Sequence, residues 1–492
     1  MVPLPSAPAA PAARTPLAAA HWPSTAYART ALPVRVLQFG TGMLLRALAT
    51  HAIDAANRAG RGAGRIAVVQ STARGVGEQL RAQDGLFTVL ERGSVEGRLV
   101  DRATLVGAVG PVYSASHDWE AIEAVAASPD LRAIISNVTE TGFQLDPDDL
   151  TRIAQGEPPL GFPARLTRLL AARARRLGDD APPLVVIPTE LLDDNGPRLA
   201  AMVATVVERL DPTGALASWI ASHVRFASSL VDRITTGDPA PGERDALAER
   251  LGYADAVVTV TEPYSLWAIE GDAALLRDAL PIDVGARVVF APDIAPLRDR
   301  KLRLLNGLHT AVAPVALLAG LDTVLEAVHH PTVGPFMRRL LFDELMPVAP
   351  IAAHDAERFA HAVLDRFANP WLEHAWHVIA GNQLLKTRHR LVPTVCDAAA
   401  LGLATPQLAL AWGAMLHWAA MHPEPPAALA PLTALVRGAP TAESAVARAL
   451  AQTEWWGASL ATNDVMQQGA AHALRRLSGG SRITDLLAES AA

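Results

Sequence analysis

"VRVLQFGTGMLLRALATHAIDAANRAG", Val34 to Gly60, is the stretch on which the reading of this chain turns. It opens on a short apolar run, "VRVLQF", passes through "GTG", and continues with apolar residues at helical spacing until Gly60 stops the pattern. That is strand, turn, helix. Further buried-strand candidates follow in "RIAVVQST" (65–72), "LRAIISNVTETG" (131–142) and "PPLVVIPTELL" (182–192). Helical stretches such as "WEAIEAVAAS" (119–128) and "ARLTRLLAARARRLG" (164–178) separate them. Strands alternating with helices predict a parallel sheet with helices on both faces.

Working outward, the character changes after "ARVVFAPDIAPLRDR" (286–300), beyond which Ala- and Leu-rich helical segments broken by Pro and Gly replace strands. The expected architecture is an α/β N-terminal Rossmann-type domain plus an all-α C-terminal domain. Residues 1–32, rich in Ala and Pro, are expected to be a disordered tail, residues 33–290 the dinucleotide-binding domain, and residues 291–492 a helical substrate-binding domain.

Composition removes several function classes. Half of the 492 residues are hydrophobic and 19% are charged, which describes a packed chain rather than a disordered one. The formal charge is −7 and no long basic run occurs, so no nucleic-acid partner is expected. The apolar stretches are shorter than the ~20 residues a spanning helix needs, and prolines interrupt the start of the chain where a signal peptide would need an apolar core. A single cysteine, Cys396, allows no internal disulfide. A cytoplasmic protein is expected, with a small-molecule partner, no membrane contact, and a monomeric or small homo-oligomeric state.

Gly40 and Gly42 stand where a dinucleotide pyrophosphate would meet backbone N–H groups at the positive end of a helix, and side chains there would block that approach. Leu45 replaces the third glycine of the usual fingerprint, so the helix should pack less closely on its strand. Gly-x-Gly alone equally fits a plain tight turn; the strand-turn-helix context favours a cofactor. The residues expected around it are Phe39, Gly40, Thr41, Gly42, Met43 and Leu44, with Ser71 after the second strand and Asn137 after "LRAIIS". Where an acid often reads the ribose hydroxyls of NAD, this chain has Gln70, Ser71, Thr72 and Arg74. These residues leave NADP open beside NAD, the cofactor expected overall, and a polar loop without cofactor contact is the plain alternative.

"KLRLLNGLHT" (301–310) raises a different chemistry. At about 100° per residue, Lys301, His309 and Asn306 fall at roughly 0°, 80° and 140° on a helix, within one broad face. Leu302, Leu304, Leu305 and Leu308 would bury the rest, and desolvation of the Lys301 amine would lower its pKa toward neutrality, as a lysine acting as general acid or base requires. The same run, crowded by Arg298, Asp299, Arg300 and Arg303, equally describes a solvated helix face, and a lone histidine is often a satisfied core residue. No His, Glu and Cys constellation at ligand spacing occurs, so no metal is expected.

These residues resemble the signature of the polyol-specific long-chain dehydrogenases, the mannitol dehydrogenase family, whose Lys-x4-Asn-x2-His pattern Lys301, Asn306 and His309 match. The blocks "FGTGMLLRA", "QDGLFTVLERG", "SNVTETGF", "SSLVDRITTG", "TEPYSLWAIEG", "LNGLHT", "RFANPW" and "KTRHRLVPTV" are similar to family blocks and stand in the family's order. "PTELLDDNG" and the run from Leu297 to Val324 are most similar to the tagaturonate reductase branch. Glu190 and Leu191 stand where the polyol-oxidising branch usually has Asp-Asn, and Ser228 replaces a common Asn.

The resemblance implies metal-independent hydride transfer between a nicotinamide and a keto-uronate, expected to be tagaturonate to altronate, with Lys301 as proton donor and acceptor. Asn306 and His309 would hydrogen-bond the reacting oxygen, and Lys386 and Arg390 would hold the substrate carboxylate unless they are a surface basic cluster. Asp232 would bind substrate hydroxyls or else fix Arg233 in an ion pair. A fructuronate reductase or mannitol-type polyol dehydrogenase is the alternative within the family. A dinucleotide-binding sensor without catalysis is the alternative of another class.

Overall fold

A computed structural model describes residues 15–24, 26–239 and 241–490. Contacts divide the chain into two compact units, Met1–Glu91 with Asp101–Ile294, and Arg92–Val100 with Ala295–Ala492.

The first unit is built on a six-stranded sheet. Its strands are β1 (Val34–Phe39), β2 (Arg65–Gln70), β5 (Val109–Ser114), β6 (Ala133–Ser136), β7 (Leu184–Pro188) and β8 (Val224–Phe226), in the order β5-β2-β1-β6-β7-β8. Adjacent strands run parallel, with Phe39 level with Val69 on one side and Ser136 on the other. β1 is mostly apolar, Val36, Leu37 and Phe39 being fully buried, because both its faces are covered. Val36 enters one core with Leu48, Ile53 and Ile66, while Leu37 and Phe39 enter the opposite core with Phe162 and Leu166. The chain moves from β1 to β2 on one side and later to β6 on the other, so a crevice opens beyond the carboxyl ends of β1 and β6, the place where such sheets bind ligands.

Strands outside this sheet were not legible in the sequence. β3 (Phe87–Val95), β4 (Arg98–Val106) and β10 (Thr259–Thr261) make one three-stranded sheet; β9 (Ser229–Asp232), β11 (Leu266–Glu270) and β12 (Val288–Ala291) make another. Glu91 on β3 receives three arginines. Arg233 (2.6 Å) and Arg287 (2.7 Å) meet Oε1, and Arg102 (2.5 Å) meets Oε2. Burial alone would raise this carboxyl, but the cations outweigh it and lower it to about 2.

Residues 15–32 correct the expectation of a tail; residues 1–14 and 25 lie outside the described residues. Leu17 is 1% exposed and its N–H donates to Ala254 O (2.8 Å). Tyr27 Oη donates to Asp54 (2.7 Å), and Arg29 is buried on the carbonyls of Gly107 and Val109. A few large anchors fix a segment whose average composition looks loose.

The second unit is helical from Ala295 to Glu489, with one correction to an all-α expectation. It includes Arg92–Val100, the turn end of the β3–β4 hairpin, where Asp365 accepts from the N–H groups of Glu96 (2.6 Å) and Gly97 (3.0 Å). The division at Ile294/Ala295 lies four residues past the expected boundary. Gly307–Leu318 is the central helix, buried along almost all its length. Pro314 inside it cannot donate to Thr310 O, and Gln383 Nε2 takes that carbonyl instead at 2.8 Å.

Candidate active site

At the glycine turn, Gly40 adopts φ +122°, a conformation glycine alone takes easily, and a Cβ there would come within 2.8 Å of Asn137 O and 3.0 Å of Leu45 Cδ1. Leu45, in place of the third glycine, is fully buried beneath the turn. Gln38 Nε2 donates to Gly40 O (3.0 Å), fixing the turn from the strand side. Nothing stands within 4 Å of where a Cβ of Gly42 would project.

Beyond the turn lies a cavity of about 690 Å³, lined by Gly40, Thr41, Gly42, Met43, Ser71 and Asn137 as anticipated. Phe39 and Leu44 do not line it. Phe39 turns beneath the sheet against Phe162 (5.0 Å between ring centroids) and Leu44 packs on the core, because strand and helix periodicity point both away from the turn. Arg46 and Arg165 were missed. Arg46 lines the cavity while donating to Thr41 O (2.7 Å) and Thr259 Oγ1 (2.8 Å), and burial lowers its pKa to about 10, so it stays cationic. Asn137 Nδ2 donates to Thr189 O (3.1 Å), and buried Glu190 accepts from Val138 N–H (2.9 Å) and Ser136 (3.1 Å). Glu190 thus orders the end of β6, while Leu191, at the position where the amide of the pair would stand, is 79% exposed. A glycine at positive φ pressed against a neighbouring carbonyl, open space before Gly42 and a buried arginine make a fitting cradle for a dinucleotide pyrophosphate.

In the second unit, Lys301–Asn306 is a π-helical turn, closed by Gly307 N–H on Leu302 O, and Gly307–Leu318 continues as α-helix. This changes the geometry expected of a regular helix. A π turn advances roughly 80° per residue, so Asn306 lies about 50° from Lys301 instead of about 140°, and three α-helical steps return His309 close to the azimuth of Lys301. The inserted turn gathers the three onto one narrow stripe. Lys301 and Asn306 are part-buried, whereas His309 is 9% exposed.

His309 stacks on Phe367 (4.1 Å between centroids) and meets the edges of His374 (5.8 Å) and Trp376 (6.1 Å). Burial, followed by the positive fields of His374, Arg366, Arg390 and Lys386, holds its pKa well below the usual value, so the ring is neutral. Its Nε2 is buried without a hydrogen-bond partner among the described residues, and such an atom calls for one.

The helix Gln383–Arg390 presents Gln383, Lys386 and Arg390 at i, i+3 and i+7 spacing. Arg390 NH1 donates to Thr310 Oγ1 (3.1 Å), which in turn donates to Asn306 O (2.8 Å); Lys386 Nζ donates to Ile379 O (2.7 Å). Both cations are therefore built into the surroundings of His309. Asp232, in the first unit, is buried at the end of β9; the guanidinium of Arg233 is held by Glu91, Ala47 O, Glu262 O and His51. One compositional signal was overlooked. Of 43 Lys and Arg residues only Lys301 and Lys386 are lysines, and arginine holds its proton too tightly to exchange it. Among the described residues no helix is long and apolar enough to cross a membrane, and no cluster of three or more His, Cys, Asp or Glu could hold a metal ion.

Family models match both units: the mannitol dehydrogenase Rossmann domain over residues 34–282 and the mannitol dehydrogenase C-terminal domain over residues 293–478. The chain belongs to the mannitol dehydrogenase family. As a member it is a dehydrogenase acting on CH–OH groups. Among this family's curated relatives, an altronate oxidoreductase of Klebsiella pneumoniae (strain 342) is 39% identical over 367 residues, 73% of this chain and 74% of its own length. One from Bacillus subtilis (strain 168) is 35% identical over 391 residues, 79% and 80% respectively. The fold is shared with a solved D-sorbitol dehydrogenase (TM-score 0.77, 19% identity, 93% of this chain and 96% of that one). It is also shared with the Pseudomonas fluorescens mannitol 2-dehydrogenase in its complex with NAD and D-mannitol (TM-score 0.64, 23% identity, 98% and 97%).

Proposed function

We propose that this mannitol dehydrogenase family member is a cytoplasmic, NAD-dependent altronate oxidoreductase that interconverts tagaturonate and altronate. The observation that carries the chemistry is the π turn, which sets Lys301, Asn306 and the unpartnered Nε2 of neutral His309 on one stripe. The choice of sugar acid is supported by the naming of the curated relatives and by Glu190 and Leu191 in place of the amide-bearing pair of the polyol-oxidising branch.

The first unit binds the cofactor along Gly40, Gly42 and Arg46, and the second unit handles the substrate oxygen. When bound, the nicotinamide supplies a hydride to the carbonyl carbon, or accepts one from the alcohol carbon. Lys301 Nζ gives its proton to the oxygen as charge develops there in reduction, and removes it in oxidation. The Asn306 amide donates to the same oxygen, and His309 donates through Nε2 in the tautomer that carries its proton there. Arg390 and Lys386 have donors beyond those spent on Thr310 and Ile379, and hold the substrate carboxylate.

The test follows NADH absorbance with tagaturonate, fructuronate, fructose and the reverse substrates altronate and mannitol. Highest kcat/KM with tagaturonate and altronate is expected. Preferred turnover of fructose or mannitol would overturn the sugar-acid assignment, and cofactor binding with no turnover of any of them would favour a sensor.

A further inference from the structure

In sheets of this kind an acid at the end of the second strand accepts from the ribose hydroxyls of NAD and repels a 2′-phosphate, whereas an arginine there does the reverse. Here β2 ends in Gln70, and its amide is consumed in folding the loop that follows. Oε1 accepts from Gly77 N–H (2.9 Å) and Nε2 donates to Thr72 O (3.0 Å). A Cβ at Gly75 or Gly77 would come within 2.6 or 2.7 Å of Oε1, so the loop is wrapped around this side chain. Thr72 Oγ1 pins the carbonyl of Arg74 (2.6 Å).

The wrapping leaves Ser71 and Arg74 lining the same cavity as Gly40 and Gly42. The Ser71 hydroxyl is buried and has no hydrogen-bond partner among the described residues. Arg165 reaches the Ser71 carbonyl (3.4 Å) and brings a second cation behind it. Two acids share the cavity, but Asp238 is paired with Arg244 (2.8 Å), and an Asp146 carboxylate oxygen accepts from Asp148 N–H (3.0 Å). Together with Arg46, the lining carries three cations against two anions.

We infer that this cavity also takes a 2′-phosphorylated dinucleotide, so that NADP(H) serves beside NAD(H), with Arg74 and the Ser71 hydroxyl as the phosphate subsite. The inference rests on the dehydrogenase reading above but is independent of the sugar. The experiment compares adenosine 2′,5′-bisphosphate with adenosine 5′-monophosphate by calorimetry on the full chain, and kcat/KM for NADPH with that for NADH using tagaturonate. The bisphosphate is expected to bind about tenfold more tightly or better, and Arg74→Ala to abolish that preference and lower the NADPH to NADH ratio by about tenfold. Arg74→Glu lowers the ratio further. Equal binding of the two nucleotides, or a preference that survives Arg74→Ala, overturns the inference. An Arg74-dependent preference in a protein that turns over no tagaturonate with either cofactor sustains the inference and sinks the sugar assignment.

Discussion

Gly40 and Gly42 differ in what a methyl group would do, and the difference gives the sharpest test of the cofactor cradle. In Gly40→Ala the new Cβ is forced to φ +122°, a region that costs an L-residue on the order of 1–3 kcal/mol. It also sits 2.8 Å from Asn137 O and 3.0 Å from Leu45 Cδ1, and overpacking of that kind adds about 1–3 kcal/mol. Urea unfolding should therefore show a loss of roughly 2–6 kcal/mol, with weakened NADH binding because the end of β6 must shift. Gly42 has φ −65° and ψ 160°, which alanine adopts freely, and its Cβ meets nothing within 4 Å. Gly42→Ala should change stability by less than about 0.5 kcal/mol yet weaken NADH by about tenfold or more, because the methyl stands in the cavity itself. Fluorescence titration with NADH measures the second quantity. Equal stability of the two variants, or undiminished NADH affinity in Gly42→Ala, would refute the reasoning.

Three further predictions concern charge. Lys301→Ala should lower kcat by about 10²–10⁴-fold with the NADH dissociation constant nearly unchanged, and normal turnover by that variant would remove lysine from the mechanism. Glu91→Gln leaves buried Arg233 without its anion and should cost about 3–5 kcal/mol in urea unfolding, a loss below 1 kcal/mol showing the triple arginine cluster to be unimportant. Because its folded pKa is depressed to about 2, the contribution of Glu91 is present above the unfolded value near 4.5 and fades as pH falls from there toward 2. Glu344 runs the other way. It is buried and accepts from Gln407 N–H (2.5 Å) and Leu408 N–H (2.8 Å), but burial wins and raises its pKa to about 7. Its protonated form stabilises the fold below about pH 4.5, and that contribution, on the order of 3 kcal/mol, is lost as pH rises through 7. Glu344→Gln should flatten the slope of stability between pH 5 and 8; an unchanged slope assigns it to other groups.

The core of the first unit was legible because parallel strands buried on both faces are written as short, mainly apolar runs, as in β1, β2, β6 and β7. The β3–β4 hairpin was not, since its turn and second strand carry exposed Glu96, Arg98, Asp101 and Arg102, which hide the alternation; β8 and β10 are three residues each. At the site, the glycine turn and the Lys-Asn-His spacing could be read directly. The π turn could not, because helix type depends on how neighbours such as Thr310 and Arg390 brace the backbone and not on residue propensities. Arg46 was passed over because its position in a helical run reads as an ordinary solvated charge, and only the fold folds its guanidinium back onto the turn.

A chain in which arginine has displaced lysine at all but two positions is unusually simple to address by amine chemistry. Reductive methylation with isotopically labelled formaldehyde would place probes on Lys301, Lys386 and the N-terminal amine alone, so a magnetic resonance spectrum needs almost no assignment. Each dimethylamine keeps its ability to take up and release a proton. The titration of the Lys301 amine, with and without bound nucleotide, can then be followed as a single resolved peak.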